Sequence, residues 1–287
     1  MSIVKSCGFI VCLCGLFCIV GCMSAGSAEA DAASPWPLAV RVMSYGKYQD
    51  AAWAHLQELG VKYVFMAVPA ADEAEAEVER LARYGLKPLV VRCGAELSKD
   101  TFLHDIAAQL AVCEKMGVKF MFMSAKRGDL SKEAAYARLR AAGVIAQARG
   151  VTITLETHPD LGTNGAVQVE TMQAIDSPSI RVNFDTANIT YYNRDTSAVA
   201  ELAKSIEHVG TVEFKDHNGE FETWNFPVLG KGVVDFPAIV KMLRDHGYAG
   251  PVTLEFEGVE GVELSEDETK RAIADSVAYV RALGGFE

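Results

Sequence analysis

The chain has 287 residues, half of them apolar, and a formal net charge of −11. That length accommodates one large domain or two modest ones. The acidic excess, with no Lys/Arg cluster to offset it, excludes a nucleic-acid backbone as a partner.

The first element is a leader. Lys5 precedes an apolar run from Gly8 to Val20 that is too short to span a bilayer stably, which reads as an export signal. It ends Ile19-Val20-Gly21-Cys22, which resembles a bacterial lipobox, where a small residue precedes a cysteine that is acylated and becomes the mature N-terminus. The resemblance implies a signal peptide over 1–21 and a lipid on Cys22. A Ser/Ala/Gly-rich flexible tether then covers 22–35. The expected location is the bacterial cell envelope, facing the periplasm or at the outer membrane, with membrane contact through the lipid alone. Loss of 1–21 removes Lys5, Cys7, Cys12, Cys14 and Cys18, leaving a net charge of −12 and only Cys93 and Cys113 in the body. Two cysteines cannot make a disulfide framework; they read as buried thiols or, at most, one optional bridge.

From residue 38 onward, short β-branched or aromatic runs alternate with helical patterns, as βα units require. Strands are predicted at 38–43 (LAVRVM), 62–67, 88–93, 118–124, 151–156, 181–185, 210–215 and 251–256. Helices are predicted near 50–59, 72–84, 99–116, 131–149, 166–175, 196–206, 235–246 and 265–283. Gly60, Gly85, Gly117, Gly150 and Gly247 each follow a helical run, where a left-handed C-terminal cap needs glycine. Eight consecutive units without a Pro/Ser-rich linker close most naturally into a single (β/α)8 barrel over 36–287. No GxGxxG follows the first strand, as a dinucleotide-binding open sheet would require.

Parallel strands covered on both faces usually read as continuous apolar runs, yet the last four strands alternate apolar with polar. Alternation turns Thr152, Thr154 and Glu156 inward, then Asn183 and Asp185, then Thr211, Glu213 and Lys215, then Thr253 and Glu255. Each strand so delivers a carboxylate near its C-terminal end, where barrel enzymes build their sites. Glu156, Asp185, Glu213 and Glu255 should meet at one mouth. Four carboxylates in a partly desolvated cup repel one another or stay protonated unless a cation neutralises them. A divalent metal on these four is the simplest resolution; the alternative is internal ion pairing with Lys215, Arg92 or Lys126.

The segments ITLETHPD, VNFDTANI, VEFKDHNGE, LGKGVVDFPAIVKML and GYAGPVTLEFEG resemble, in order and spacing, signatures of the sugar phosphate isomerase/epimerase family of xylose isomerase-like TIM barrels. The resemblance spans roughly 36–287 and is strongest from 151 on. By position it implies that Glu156, Asp185 and Glu255 bind metal, with Glu156 and Glu255 doubling as the proton-transfer pair. It places Asn188, a substrate contact, where the family often has histidine. The chain departs at one point: the family usually reads His-x-Lys-Asp where Glu213 stands. Glu213 then serves as an oxygen ligand, favouring Mn or Mg over Co or Zn, or His217, otherwise a substrate contact, swings in from the loop, or the metal is lost.

His158 extends from the rim toward a sugar hydroxyl or phosphate, or else faces water. Lys215 either neutralises Glu213 or stabilises an oxyanion. His55, His104, His208 and His246 fall on helices and read as structural. The several strand-end histidines of a trinuclear zinc site, as in the related endonuclease IV barrels, are absent from the sequence, which argues against DNA repair. The long segment 216–234 reads as a lid whose Trp224 covers a sugar or packs on a neighbouring loop. The resemblance implies a metal-assisted isomerase or epimerase acting on a carbohydrate through an enediolate. A lyase that expels a leaving group from the same enediolate is the rival enzyme, and a sugar-binding lipoprotein without catalysis is the non-enzyme alternative.

Overall fold

The strand Leu38–Arg41 (β1) pairs in parallel with Tyr63–Ala67 (β2) on one side and with Val252–Leu254 on the other, and that second pairing closes the sheet on itself. In this computed structural model, which describes residues 34–287, the ring continues through Lys87–Arg92 (β3), Phe120–Met123 (β4), Thr152–Glu156 (β5), Ile180–Asp185 (β6) and Val209–Phe214 (β7). Asn225–Phe226 (β8) lies outside the ring and Val252–Leu254 (β9) completes it, giving eight parallel strands. The predicted (β/α)8 barrel is the observed one. Predicted signal segment 1–21, the Cys22 lipidation site and the tether as far as residue 33 lie outside the described residues.

The helices that cover the ring are Ala52–Glu58 (α1), Ala74–Arg83 (α2), Phe102–Met116 (α3), Lys132–Ala148 (α4), Gly165–Ile175 (α5), Ala198–Ser205, Phe236–Asp245 and Glu266–Ala282. Local chemistry sets their ends. Ser131, Asn164, Ser197 and Asp235 each accept a backbone amide three residues on, and Ser265 with Glu268 forms a full capping box. Gly117 ends α3 at φ 71°, a conformation costly to any residue with a Cβ. Two helical elements before and after strands had no counterpart in the predicted pattern. A 3-10 run, Val42–Ala51, broken at Gly46 (φ 55°), precedes α1, and a five-residue helix, Asn188–Tyr192 (α6), follows β6 directly.

Period-two alternation divides the strands between two environments. Ile153, Leu155, Val182, Phe184, Val212, Phe214, Val252 and Leu254 face the helices and join the main apolar core. The barrel interior has two halves. Ala39, Phe65, Val90 and Phe122, from the first four strands, form a separate apolar cluster. Opposite stand Thr154, Asn183, Thr211 and Thr253, all fully buried, with the Asn183 amide donating to Thr211 Oγ1 at 2.8 Å. The register joins the halves where Phe122 meets Thr154 and Ala39 meets Thr253. Cys93 and Cys113 are buried free thiols, not a bridge.

The segment after β7 is pinned from within. Asp216, fully buried, accepts the amides of His217 (2.9 Å), Gly230 (2.9 Å), Gly232 (2.8 Å) and Val234 (3.2 Å). A Cβ at Gly232 would sit 2.2 Å from Asp216 Oδ1, so the LGKG turn has room only for glycine there. Further along, β8 pairs antiparallel with Gly258–Val259 (β10), tying the loop after β7 to the loop after β9.

Candidate metal and substrate site

Asp185 and Glu213 are register partners at the C-terminal ends of adjacent strands, and Glu255 directly follows β9, the next strand round. Each offers a carboxylate oxygen within 4.8 Å of the other two. Asp185 Oδ1 accepts the amides of Ala187 (2.9 Å) and Asn188 (3.0 Å), so the same carboxylate that closes β6 caps α6. Glu213 Oε1 meets Arg41 Nη1 at 3.1 Å, while its buried Oε2 has no hydrogen-bond partner. Glu255 is held at both oxygens, by Arg41 Nη1 at 2.6 Å and by Lys215 Nζ at 3.0 Å. Lys215 Nζ further reaches Glu257 Oε2 (2.7 Å), Asp185 Oδ2 (3.4 Å) and Asn188 Oδ1 (3.1 Å).

Two internal cations therefore carry the first share of neutralisation. Arg41 lies over the Phe65 ring at 4.9 Å and the Phe122 ring at 5.2 Å, where the apolar half of the interior meets the polar half. Burial lowers its affinity for the proton, but Glu255, Glu213, Glu156 and Glu257 together raise it above that of an ordinary arginine. Burial likewise opposes a charged Lys215, yet Asp185, Glu255 and Glu257 hold it well above the usual lysine range. The carboxylates respond unequally. Burial pushes Glu255 up, but Lys215 and Arg41 outweigh it and keep the group below the ordinary range. Glu213 is driven well above that range by burial that Arg41 does not offset. Asp185 is lifted to about 7 by burial, against the pull of Lys215 and aided by the Glu255 charge.

The residues fit a divalent cation. Glu156, Asp185, Glu213, Glu255 and Glu257 outnumber Arg41 and Lys215, so the cup keeps excess negative charge that burial makes costly. The unpartnered Glu213 Oε2 is a free oxygen donor in its midst. An all-oxygen set of this kind suits a hard metal.

Three of the four predicted ligands thus come together, and Glu156 stands outside their triad. At the end of β5, Glu156 accepts a hydrogen bond from Ser124 Oγ and lines a cavity of about 320 Å3 with His158, Asn188, Lys215 and Trp224. His158 donates from Nδ1 to the Pro159 carbonyl (2.6 Å) and packs edge-on against Tyr192. Asn188 is buried with its amide on the Thr157 carbonyl (3.0 Å) and its oxygen on Lys215. Trp224, 42% exposed, packs edge-on against Phe226 and Tyr191 at the rim.

Two expectations are corrected. His217 does not swing into the carboxylates, nor does it offer an atom to a sugar. It is fully buried, Nδ1 accepts from the Gly219 amide (3.2 Å) and lies 2.9 Å from Thr190 Oγ1, and Nε2 donates to the Thr223 carbonyl (2.9 Å). Of the three expected pairing cations only Lys215 meets the acids; Arg92 and Lys126 have no ion-pair partner among the described residues, and Arg41 takes their place. Sequence reasoning also missed Arg41 and Glu257. The signal for Arg41 was its parity with inward-facing Ala39, and for Glu257 one more step of the alternation that turns Glu255 inward.

The chain is thus a closed parallel barrel with a buried carboxylate triad, able to hold a metal ion, at its C-terminal mouth. The family profile of the xylose isomerase-like TIM barrel matches residues 53–283, and the chain belongs to that family. It is similar to an inosose dehydratase of Salmonella typhimurium, 28% identical over 135 residues that make up 42% of this chain and 44% of the relative. The chain spans less than half the length of the curated relatives it matches. Among solved structures, a xylose isomerase-like TIM barrel protein from Mycobacterium smegmatis in complex with magnesium superposes with a TM-score of 0.72, at 16% identity, over 86% of this chain and 96% of that one. D-psicose 3-epimerase from Clostridium cellulolyticum H10, solved with D-tagatose, gives 0.70 at 15% identity, over 86% and 99%.

Proposed function

We propose that this protein is a divalent-metal-dependent sugar isomerase or epimerase. The observation that carries the reading is the buried triad of Asp185, Glu213 and Glu255, with an unpartnered Glu213 oxygen, at the barrel mouth. Those three residues would hold Mn or Mg, and the bound cation would supply a Lewis acid for a sugar carbonyl and its neighbouring hydroxyl.

The chain's own groups do the rest. Glu156, with a single donor from Ser124, removes the proton next to the sugar carbonyl. Glu255 stands as its counterpart from the other side, fixed in place by Arg41 and Lys215. Lys215, charged and tethered to Asp185, Asn188 and Glu257, sits where negative charge grows on the substrate oxygen. Tyr191, Tyr192, Trp224 and Phe226 offer an aromatic wall for the apolar face of a sugar. Return of the proton at the same or the neighbouring carbon gives epimerisation or aldose–ketose isomerisation. Exchange of the substrate's α-proton with deuterated water, followed by NMR on metal-loaded protein, tests this. Absence of exchange across a panel of free and oxidised sugars rejects it.

The similarity to inosose dehydratase favours a second reading, in which the enediolate expels a β-hydroxyl as water in place of taking the proton back. Product mass separates the two, because only elimination loses the mass of water. We also propose that Cys22 carries lipid and anchors the protein at the cell envelope. The support is the Ile19–Cys22 sequence. Cys22→Ser should abolish labelling by a fatty-acid analogue, and unchanged labelling removes the anchor.

A further inference from the structure

Five cations line the three adjoining cavities of the barrel mouth: Arg41, Lys47, Arg92, Lys126 and Lys215. Arg41 and Lys215 are committed to the buried carboxylates, and Lys47 lies 3.9 Å from Glu263. Arg92 and Lys126, at the ends of β3 and just past β4, have no carboxylate within ion-pair distance among the described residues. Both line the cavity that holds Glu156 and His158, and both also line the adjoining one of about 250 Å3, as does Ser124, which follows β4. Two exposed cations without an ion-pair partner therefore line the substrate space, and the one carboxylate on the smaller cavity's wall, Glu96, lies 3.9 Å from Lys99.

From this we infer that Arg92 and Lys126 form the binding corner for a carboxylate carried by the substrate, so that the preferred ligand is a sugar acid. The inference rests on the sugar-binding reading of the cavity given above. Arginine's fork and a lysine ammonium can hold a carboxylate by charge-assisted hydrogen bonds. A phosphate dianion usually draws in addition on free backbone amides at a turn or helix N-terminus. At this corner the two amides that directly follow Cys93 are spent: Gly94 donates to Gln109 Oε1 (2.8 Å) and Ala95 to Cys93 Sγ (3.3 Å). The opposite side of the mouth, beside the last barrel strand, carries Glu255, Glu257 and Glu263 with Arg41 and Lys47, cations already committed to carboxylates, and offers an anion no free partner. A sugar acid bound in the one orientation the charges allow puts its carboxylate at Arg92 and Lys126 and its carbons beside Glu156 and the aromatic wall.

The test is calorimetric binding to the metal-loaded protein of D-glucuronate and D-galacturonate, each against its neutral hexose, with D-glucose 6-phosphate alongside. Two charge-assisted contacts should make each uronate bind roughly 10- to 100-fold tighter than its hexose. That preference should shrink as ionic strength rises and collapse in Arg92→Gln/Lys126→Gln, while Lys241→Gln, an exposed lysine on the outer helix Phe236–Asp245, leaves it intact. Equal binding of acid and hexose, a preference that survives the double substitution, or tighter binding of the sugar phosphate than of the uronates each overturns the proposal. Uronate preference without any α-proton exchange sustains the anion corner and removes the isomerase reading; exchange on neutral sugars with no preference for acids does the reverse.

Discussion

Arg41 and Glu213 form an ion pair (Nη1–Oε1 3.1 Å) across β9, the strand that separates theirs in the barrel, and Arg41 is also 2.6 Å from Glu255. Glu213 stands at the position where the His-x-Lys-Asp motif that this strand resembles has its histidine, and its negative charge comes with a buried positive partner. Removing one member leaves an uncompensated charge in the interior. Arg41→Met should therefore cost the metal-free protein about 3–5 kcal/mol in urea unfolding, and adding Glu213→Gln should restore part of that loss. The same Arg41→Met change should tighten Mn binding in calorimetry, because the cation then no longer competes with Arg41 for Glu213 and Glu255. Weaker Mn binding would show that Arg41 builds the metal site and does not compete for it.

Metal removal should destabilise the protein. A ligand bound only by the native state at a hundred times its Kd stabilises by about 2.7 kcal/mol, which for a barrel of this size is on the order of 5–10 °C in Tm. Chelation should lower Tm by that order and Mn or Mg should restore it, whereas Asp185→Asn should need more metal for the same recovery. A melting curve indifferent to chelator and metal, with no metal found by elemental analysis, would favour a sugar-binding protein without catalysis.

The barrel was legible because period-two alternation in β5, β6, β7 and β9 and the glycines after the helices are local signals, and residues such as Asp185 and Glu213 inherit their positions from them. What escaped depends on partners distant in sequence. β8 and β10 are two residues each, too short for a pattern, and pair only because two loops meet. His217 looked available because sequence does not reveal that Gly219, Thr190 and Thr223 take both ring nitrogens. Arg41, a lone charge in an apolar strand, shows its parity but not the acids 172 and more residues away that hold it.

Proton transfer by Glu156 predicts a separation of activity from stability. Glu156→Gln keeps shape and the Ser124 contact, so α-proton exchange should fall at least ~100-fold while stability moves by less than about 0.5 kcal/mol. Glu255→Gln should lower exchange comparably and also weaken metal binding, because Glu255 belongs to the triad. If Glu257→Gln abolishes exchange with metal affinity intact, while Glu255→Gln does not, the second proton carrier is Glu257, which lines the same cavity as Glu156.

The neutral His217 predicts a pH dependence of the loop after β7. Burial, with help from the Lys215 charge and against the Thr223 carbonyl, keeps its ring below the ordinary histidine value of 6.5. In the unfolded chain the ring regains that ordinary value, so as pH falls below it the unfolded state binds the proton first. Stability contributed by His217 is thus complete above pH 6.5 and is lost as pH falls through the folded-state value. His55 and His208 shift in the same direction, and Asp185, raised to about 7, works in the opposite one, so the wild-type curve alone is composite. The difference between wild type and His217→Gln isolates the residue. Glutamine can still accept from Gly219 and donate to Thr223 but does not titrate, so its advantage or deficit at pH 7 should shift in its favour by pH 5. Hydrogen exchange should place the change in residues 216–234, where Asp216 and His217 share the work of holding the turn. A difference that is flat between pH 7 and pH 5 would mean the ring binds its proton equally well folded and unfolded, so that neither burial nor the Gly219 amide disfavours the protonated form.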